Sequence, residues 1–169
     1  MLINQYFSHQ QYERPGFLIS TDPALLNLDV VHHYLSNESY WSPGIAREKI
    51  ERYVQYCLCF GVYSTNGAKI SVATISDNVH VAYQQIGFAR VVSDFTLFAY
   101  LADVFILPVY RRQGLGKWLV QSVLAHPELQ NLRQWTLYTE DAHKLYQSFG
   151  FVIEPRPGKH MVFRPHPAR

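Results

Sequence analysis

The sequence predicts a mixed α/β domain built in three layers, with helices flanking a mixed, mostly antiparallel sheet. Three observations lead there. Helical patterns come first, strand-like runs then follow one another without a helix between them, and the second half alternates strand, helix, strand, helix, strand. That order sets helices against a sheet of mixed direction. Asn66-Gly67 separates two of the strand-like runs, and this dipeptide favours the tight turn of a β-hairpin. Residues 98–107 form an apolar run interrupted only by Asp103, the pattern of a strand covered on both faces.

Residues 17–20 are a short apolar run ending at Thr21-Asp22-Pro23, where Thr21 or Asp22 caps a helix with Pro23 in its first turn. Leu25, Leu26, Leu28, Val31 and Leu35 recur at roughly helical spacing, carrying that helix through Tyr34. Asn37, Pro43 and Gly44 break the pattern over residues 36–44. A second helix follows over 46–56, with Ile50, Tyr53 and Val54 on one side. Strands are expected at 57–63, 69–76 and 84–92, with 79–83 as an extension of the meander. Pro108 ends the strand at 98–107, because it has no N–H for a ladder. A helix over 114–125 carries Leu115, Leu119, Val120, Val123 and Leu124 on its apolar face. Residues 135–138 read as a strand. Residues 141–149 read as a short helix, with Ala142, Leu145, Tyr146 and Phe149 at i, i+3, i+4 and i+7 and Gly150 as its C-cap. Residues 151–153 and 161–163 complete the pattern as a final strand pair, and the tail from Pro165 is loose.

Composition narrows the function. A length of 169 residues suits one domain over 1–169, and 48% hydrophobic residues are enough for a sizeable core. The net charge of +2 comes without a basic stripe, which excludes a nucleic-acid binder. Arg111, Arg112 and Lys117 cluster locally and suit a small anionic ligand better than a polymer. Cys57 and Cys59, two apart on one strand, make a poor disulfide pair, and the absence of a CxxC motif leaves no metal site. The first residues lack the apolar core of a signal peptide, and no run of about 18 apolar residues occurs. A cytoplasmic protein without membrane attachment is expected, and an edge strand after Ile153 permits a homodimer.

The informative segment is Pro108-Val109-Tyr110-Arg111-Arg112-Gln113-Gly114-Leu115-Gly116-Lys117. A buried strand runs into a basic, glycine-containing turn and then into a helix. Helix N-termini present unpaired N–H groups and partial positive charge, and glycine lets a phosphate approach the backbone closely. A Walker A loop is rejected, because Arg111 stands where its first glycine belongs and Trp118 follows the lysine. A dinucleotide fingerprint is rejected because Leu119 stands at its third glycine.

Arg111-Arg112-Gln113-Gly114-Leu115-Gly116 resembles the Gln/Arg-x-x-Gly-x-Gly/Ala pyrophosphate loop of the GNAT N-acetyltransferases. Val104-x-Ile106-x-Pro108 is similar to their central strand, and Ala142-x-x-Leu145-Tyr146-x-x-x-Gly150-Phe151 to their second signature. The resemblance covers residues 101–163. It implies the GNAT fold, with a splayed central strand pair, and an enzyme that moves acetyl from acetyl-CoA to a primary amine in a ternary complex. The acceptor is a small-molecule or peptide amine. Alternatives are a non-catalytic acyl-CoA sensor and an enzyme for a longer acyl chain. By the same resemblance the main chain of Val104, Phe105 and Ile106 pairs with pantetheine, and an N–H there polarises the acetyl carbonyl. Arg111, Arg112, Gln113, Gly114, Leu115, Gly116 and Lys117 hold the pyrophosphate. Tyr146 matches the tyrosine that protonates the departing thiolate, and a phenol with an ordinary pKa of about 10 carries its proton at neutral pH.

Asp103, the only acid within the central strand, is the candidate base, acting directly or through water. A satisfied structural carboxylate is the alternative. The branch that acetylates ribosomal-protein N-termini uses a strand glutamate where this chain has Gln134, and Thr139 stands where many members have a CoA-contacting asparagine. In this family the acceptor approaches across the first helices, so Tyr40 and Trp41 are the candidate pocket residues, with Glu38 beside them to attract a cationic amine. Neither cysteine lies in a signature, which disfavours an acetyl-cysteine step.

Overall fold

The computed structural model describes residues 7–71, 80–154, 158, 161 and 163. The chain separates into two compact units, residues 1–138 and 139–169. In the first unit, β1 (Gln11–Arg14) and β2 (Phe17–Ser20) form a hairpin, followed by α1 (Leu28–Asn37), α2 (Arg47–Tyr56), β3 (Leu58–Ser71), β4 (His80–Ser93), β5 (Phe98–Ile106), α3 (Leu115–Leu124) and β6 (Gln134–Thr136). The sheet has six strands in the order β1-β2-β3-β4-β5-β6. Its pairs are antiparallel except β5 with β6, which is parallel.

Three layers result in this unit. On one face α1 and α2 bury Val31, Tyr34, Leu35, Ile50 and Val54 with Cys57, Cys59, Phe88 and Phe105 of the sheet. A second buried stripe, Leu115, Trp118, Leu119, Val120 and Val123, belongs to α3, which contacts β3 and β5. The near-continuous apolar character of β5 follows from being covered on both sides.

Several expectations change on inspection. Asp22 does cap a turn with Pro23, but Pro23–Leu25 is a 3-10 turn, and α1 starts later. Asn27 provides the reason, because its carboxamide oxygen accepts from the N–H groups of Asp29 and Val30 and so fixes a new N-terminus. Asn66-Gly67 is not a hairpin turn. Ser64 pairs with Gln84 and Lys69 with Ala82, so residues 65–68 form a bulge and β3 continues to Ser71. Thr65 donates to the Gly16 carbonyl at 2.9 Å, anchoring the bulge on the β1–β2 turn. Residues 72–76, expected at the end of this strand, and Val79 lie outside the described residues. The β1 strand has no apolar alternation to announce it.

In the second unit α4 (His143–Gln147) ends in a Schellman arrangement. Phe151 N–H returns to the Tyr146 carbonyl and Gly150 N–H to that of Gln147, with Gly150 at φ 89° as expected of the capping glycine. Residues 151–153 are not a strand. Val162 of their expected partner, and the tail from Pro165, lie outside the described residues.

Gly87 controls how closely β4 approaches β5. A Cβ there would lie 2.7 Å from the Phe105 carbonyl oxygen and 2.6 Å from Ile106 Cδ1. Gly87→Ala is therefore expected to lower stability by about 1–3 kcal/mol, read as a fall in Tm. An unchanged Tm would show that the strand pair yields without cost.

Candidate active site

The pairing of β5 with β6 is short. It comprises Phe98 with Gln134, Ala99 with Trp135 and Tyr100 with Thr136, and there it stops. The strand β5 itself runs on to Ile106. Among the described residues, the stretch from Leu101 to Ile106 has no strand beside it on that edge. Leu107 N–H donates toward β4, to the Ile86 carbonyl at 2.8 Å. Alternation then turns the N–H and carbonyl of Ile106 toward the open edge, and those of Phe105 toward Phe88 on β4. Phe105 instead offers its ring, buried and stacked on Tyr34 at 3.9 Å.

A bulge in β5 sharpens this geometry. Phe88 pairs with Phe105 and Arg90 with Ala102, so Asp103 and Val104 together oppose Ala89. Asp103 has φ 55°, a left-handed conformation that aspartate tolerates better than most residues but that still costs about 1–3 kcal/mol. Its carboxylate is buried. One oxygen accepts from Arg90 Nε at 2.7 Å and the other from Trp41 Nε1 at 3.2 Å. Arg90 lies over the Tyr53 ring at 4.2 Å and donates to the Cys57 sulfur at 3.6 Å. Burial opposes the charge on Arg90, but Asp103 more than offsets it, and the guanidinium is held above its usual range. Removing either partner would strand a buried charge.

Trp41 thus ties the α1–α2 loop to the β5 bulge. Its ring packs edge-on to Tyr40 at 4.9 Å and lies 6.3 Å from Tyr34. Both Tyr40 and Trp41 keep an exposed face, 44% and 38%. Glu38 sits 3.7 Å from His33.

Beyond β5, Pro108–Tyr110 forms a 3-10 turn held by the Tyr110 hydroxyl donating to Gln84 at 3.0 Å. Arg112 and Gly114 take left-handed φ of 64° and 74°. Gly114 is the N-cap of α3, which has no side-chain cap and no acid in its first turn. The first helical N–H to find an intrahelical carbonyl is that of Trp118, on Gly114 at 3.0 Å. The N–H groups of Leu115, Gly116 and Lys117 are thus the uncapped donors of the helix start. Arg111, Arg112, Gln113 and Lys117 are exposed, and none of the three cations forms an ion pair with a described residue. A Cβ added at Gly116 would meet nothing within 4 Å. The fold therefore makes no demand for glycine at that position. These features suit an anion bearing adjacent phosphates.

Arg111 behaves differently. Its side chain turns back onto the protein, donating to the Ile106 carbonyl and to the Tyr34 hydroxyl, each at 2.9 Å. In the second unit Tyr146 is buried and packs edge-on to Phe151 at 5.9 Å, and the Thr139 hydroxyl accepts from Ala142 N–H at 3.0 Å, bracing the turn into α4. Cys57 and Cys59 are free thiols and buried.

Sequence reasoning missed Tyr34, Tyr53 and Arg14. The two tyrosines read as ordinary aromatics of a helix face. Arg14 lies about a hundred residues from the loop, yet its guanidinium sits 4.7 Å over Trp118 and 4.0 Å from where a Gly114 Cβ would be. No spacing in the sequence announces that proximity.

No helix among the described residues is long and apolar enough to cross a membrane. Residues 76–153 match the family model of the acetyltransferase (GNAT) domain. A protein of Gibberella zeae named as an acetyltransferase is 31% identical over 143 residues, 81% of this chain and 79% of its own. An uncharacterised N-acetyltransferase of Gracilaria tenuistipitata var. liui is 33% identical over 81 residues, 47% of this chain and 44% of its own length. Among solved structures, a GNAT-family protein from Xanthomonas campestris pv. campestris superposes with a TM-score of 0.76 at 36% identity, covering 90% of this chain and 95% of its own. A GNAT-family acetyltransferase from Elizabethkingia anophelis, solved with acetyl-CoA bound, shares the fold at 15% identity and a TM-score of 0.52, over 83% of this chain and 78% of its own. Motifs, sheet topology and relatives agree, and the chain belongs to the GNAT acetyltransferases.

Proposed function

We propose that this acetyltransferase moves acetyl from acetyl-CoA to a primary amine by direct attack in a ternary complex, with residues 1–169 acting as one catalytic domain. The observation that carries the reading is the open edge of β5 beyond Tyr100, which leads through the 3-10 turn at Pro108–Tyr110 into the uncapped start of α3. An extended amide-bearing arm fits the first, and a pyrophosphate fits the second. Acetyl-CoA supplies the thioester. Main-chain groups of Val104 and Ile106 hold its arm, and the N–H groups of residues 114–117, with Arg112 and Lys117, hold its phosphates. In the reaction a C–N bond forms as the C–S bond breaks; the amine gives up one proton and the departing thiolate takes one. Tyr146 donates that second proton.

The amine side is assigned to Asp103, Tyr40 and Trp41. Each carboxylate oxygen of Asp103 has one donor, so lone pairs remain for an amine N–H. Asp103 thus orients the amine and takes its proton directly or through a water. The exposed faces of Tyr40 and Trp41 favour an acceptor with an apolar body. Burial raises the Cys59 thiol far above its usual range, with the neighbouring Cys57 adding, which supports transfer without an acetyl-cysteine.

The test is thiol release from acetyl-CoA against a panel of primary amines, followed by two-substrate kinetics with any amine that turns over. Intersecting lines are expected. Parallel lines, the mark of a covalent acetyl-enzyme, would overturn direct attack.

A further inference from the structure

We infer that Arg111, the first residue of the signature, is a positioning residue that braces the open edge of β5 against α1, and not a ligand of phosphate. The inference rests on the cofactor reading above and refines it. Arg111 Nε donates to the Ile106 carbonyl at 2.9 Å. That carbonyl belongs to the edge that β6 leaves open, because the next N–H, of Leu107, is spent on β4. The other arm of the guanidinium donates to the Tyr34 hydroxyl at 2.9 Å. Tyr34 in turn lies flat on Phe105, with centroids 3.9 Å apart and planes at 12°. Ile106, Arg111, Tyr34 and Phe105 therefore close a ring that joins two consecutive residues of β5 through α1.

The planar fork of arginine suits this task, since it holds two acceptors in fixed directions. Its need follows from the topology. Pairing with β6 ends at Tyr100, so the last two thirds of β5, residues 101–106, have among the described residues no second neighbour to fix them as a strand inside a sheet. With the edge held in place beforehand, an incoming arm loses less of its binding free energy to ordering the protein. Arg111 is exposed like Arg112 and Lys117, but its guanidinium is directed at Ile106 and Tyr34, which leaves Arg112 and Lys117 to carry the phosphate charge.

A double-mutant cycle on acetyl-CoA binding to the full chain tests this, using Arg111→Ala, Tyr34→Phe and the pair. Tyr34→Phe removes only the oxygen that receives Arg111 and keeps the ring on Phe105. Each single change is expected to weaken binding about 5-fold and the pair no more than either alone, because both break one brace. The dependence of Kd on salt should match the parent, since no phosphate contact is lost. If Arg111→Ala fails to fold, Arg111→Gln, which keeps a donor for the carbonyl but cannot span to Tyr34, should match Tyr34→Phe. A large loss confined to the Arg111 variant, with a flattened salt dependence, would make it a phosphate ligand and overturn the inference. Two silent single variants would overturn it as well. A parent that binds no acetyl-CoA would instead remove the cofactor reading on which it stands.

Discussion

Gly116→Leu is expected to weaken acetyl-CoA binding by about 100-fold or more, roughly 2.7 kcal/mol, while leaving Tm unchanged or slightly raised. The two halves of that result come from the same observation. A Cβ at Gly116 would meet no protein atom within 4 Å, and Gly116 lies in the first turn of α3 without a positive φ. A side chain there costs the fold nothing, and relieving a helix of glycine contributes up to about 1 kcal/mol of stability. What a leucine would obstruct is the approach of a phosphate to the uncapped N–H groups. Gly116→Ala is the internal control. The signature admits alanine at this position, so its binding loss should be small while its gain in stability is similar. Gly114 cannot serve in the same way, since its φ of 74° strains any other residue and a loss of binding would be confounded with a loss of fold. A Gly116→Leu protein that binds acetyl-CoA normally would detach the phosphates from this helix.

Tyr146→Phe should slow turnover by about 100-fold, the lower end of what a positioned general acid contributes, with acetyl-CoA affinity within about 2-fold of the parent. Phenylalanine keeps the ring that packs on Phe151 and removes only the hydroxyl. The comparison is made with the amine that the panel identifies, measuring thiol release at saturating substrates beside Kd for acetyl-CoA. A variant with parental turnover would deny Tyr146 the proton. A variant that has lost both affinity and turnover would make the hydroxyl a binding or structural group.

The parts of this protein written locally were legible in the sequence. The strand at 98–107, the glycine loop and the helix after it follow one another within a few residues, and turn chemistry, helix start and apolar period all agree there. Gly150 was legible for the same reason, because a helix C-terminus is closed by groups only a few residues away. Where sequence reasoning departed from the structure, a distant partner decided. Asn66-Gly67 has the composition of a hairpin turn, but its stretch is anchored on Gly16 and the strand passes through it. Thr21-Asp22-Pro23 has the composition of a helix start, yet Asn27 caps the helix that forms. In the site, Asp103 stood out as an acid in an apolar strand, but its pairing with Arg90 and Trp41 spans 13 and 62 residues. Arg111 stands among cations in the sequence, and nothing local announces its contact with Tyr34. Its hydroxyl partner lies 77 residues away on α1.

The most direct test of the central claim is calorimetric titration of acetyl-CoA into the folded chain. Saturable one-to-one binding in the micromolar range, about −8 kcal/mol, is expected, weakened about 100-fold or more by Gly116→Leu and retained in Tyr146→Phe. A sample that is folded by circular dichroism and takes up no acetyl-CoA would contradict it, leaving the open edge of β5 and the uncapped start of α3 without the ligand assigned to them.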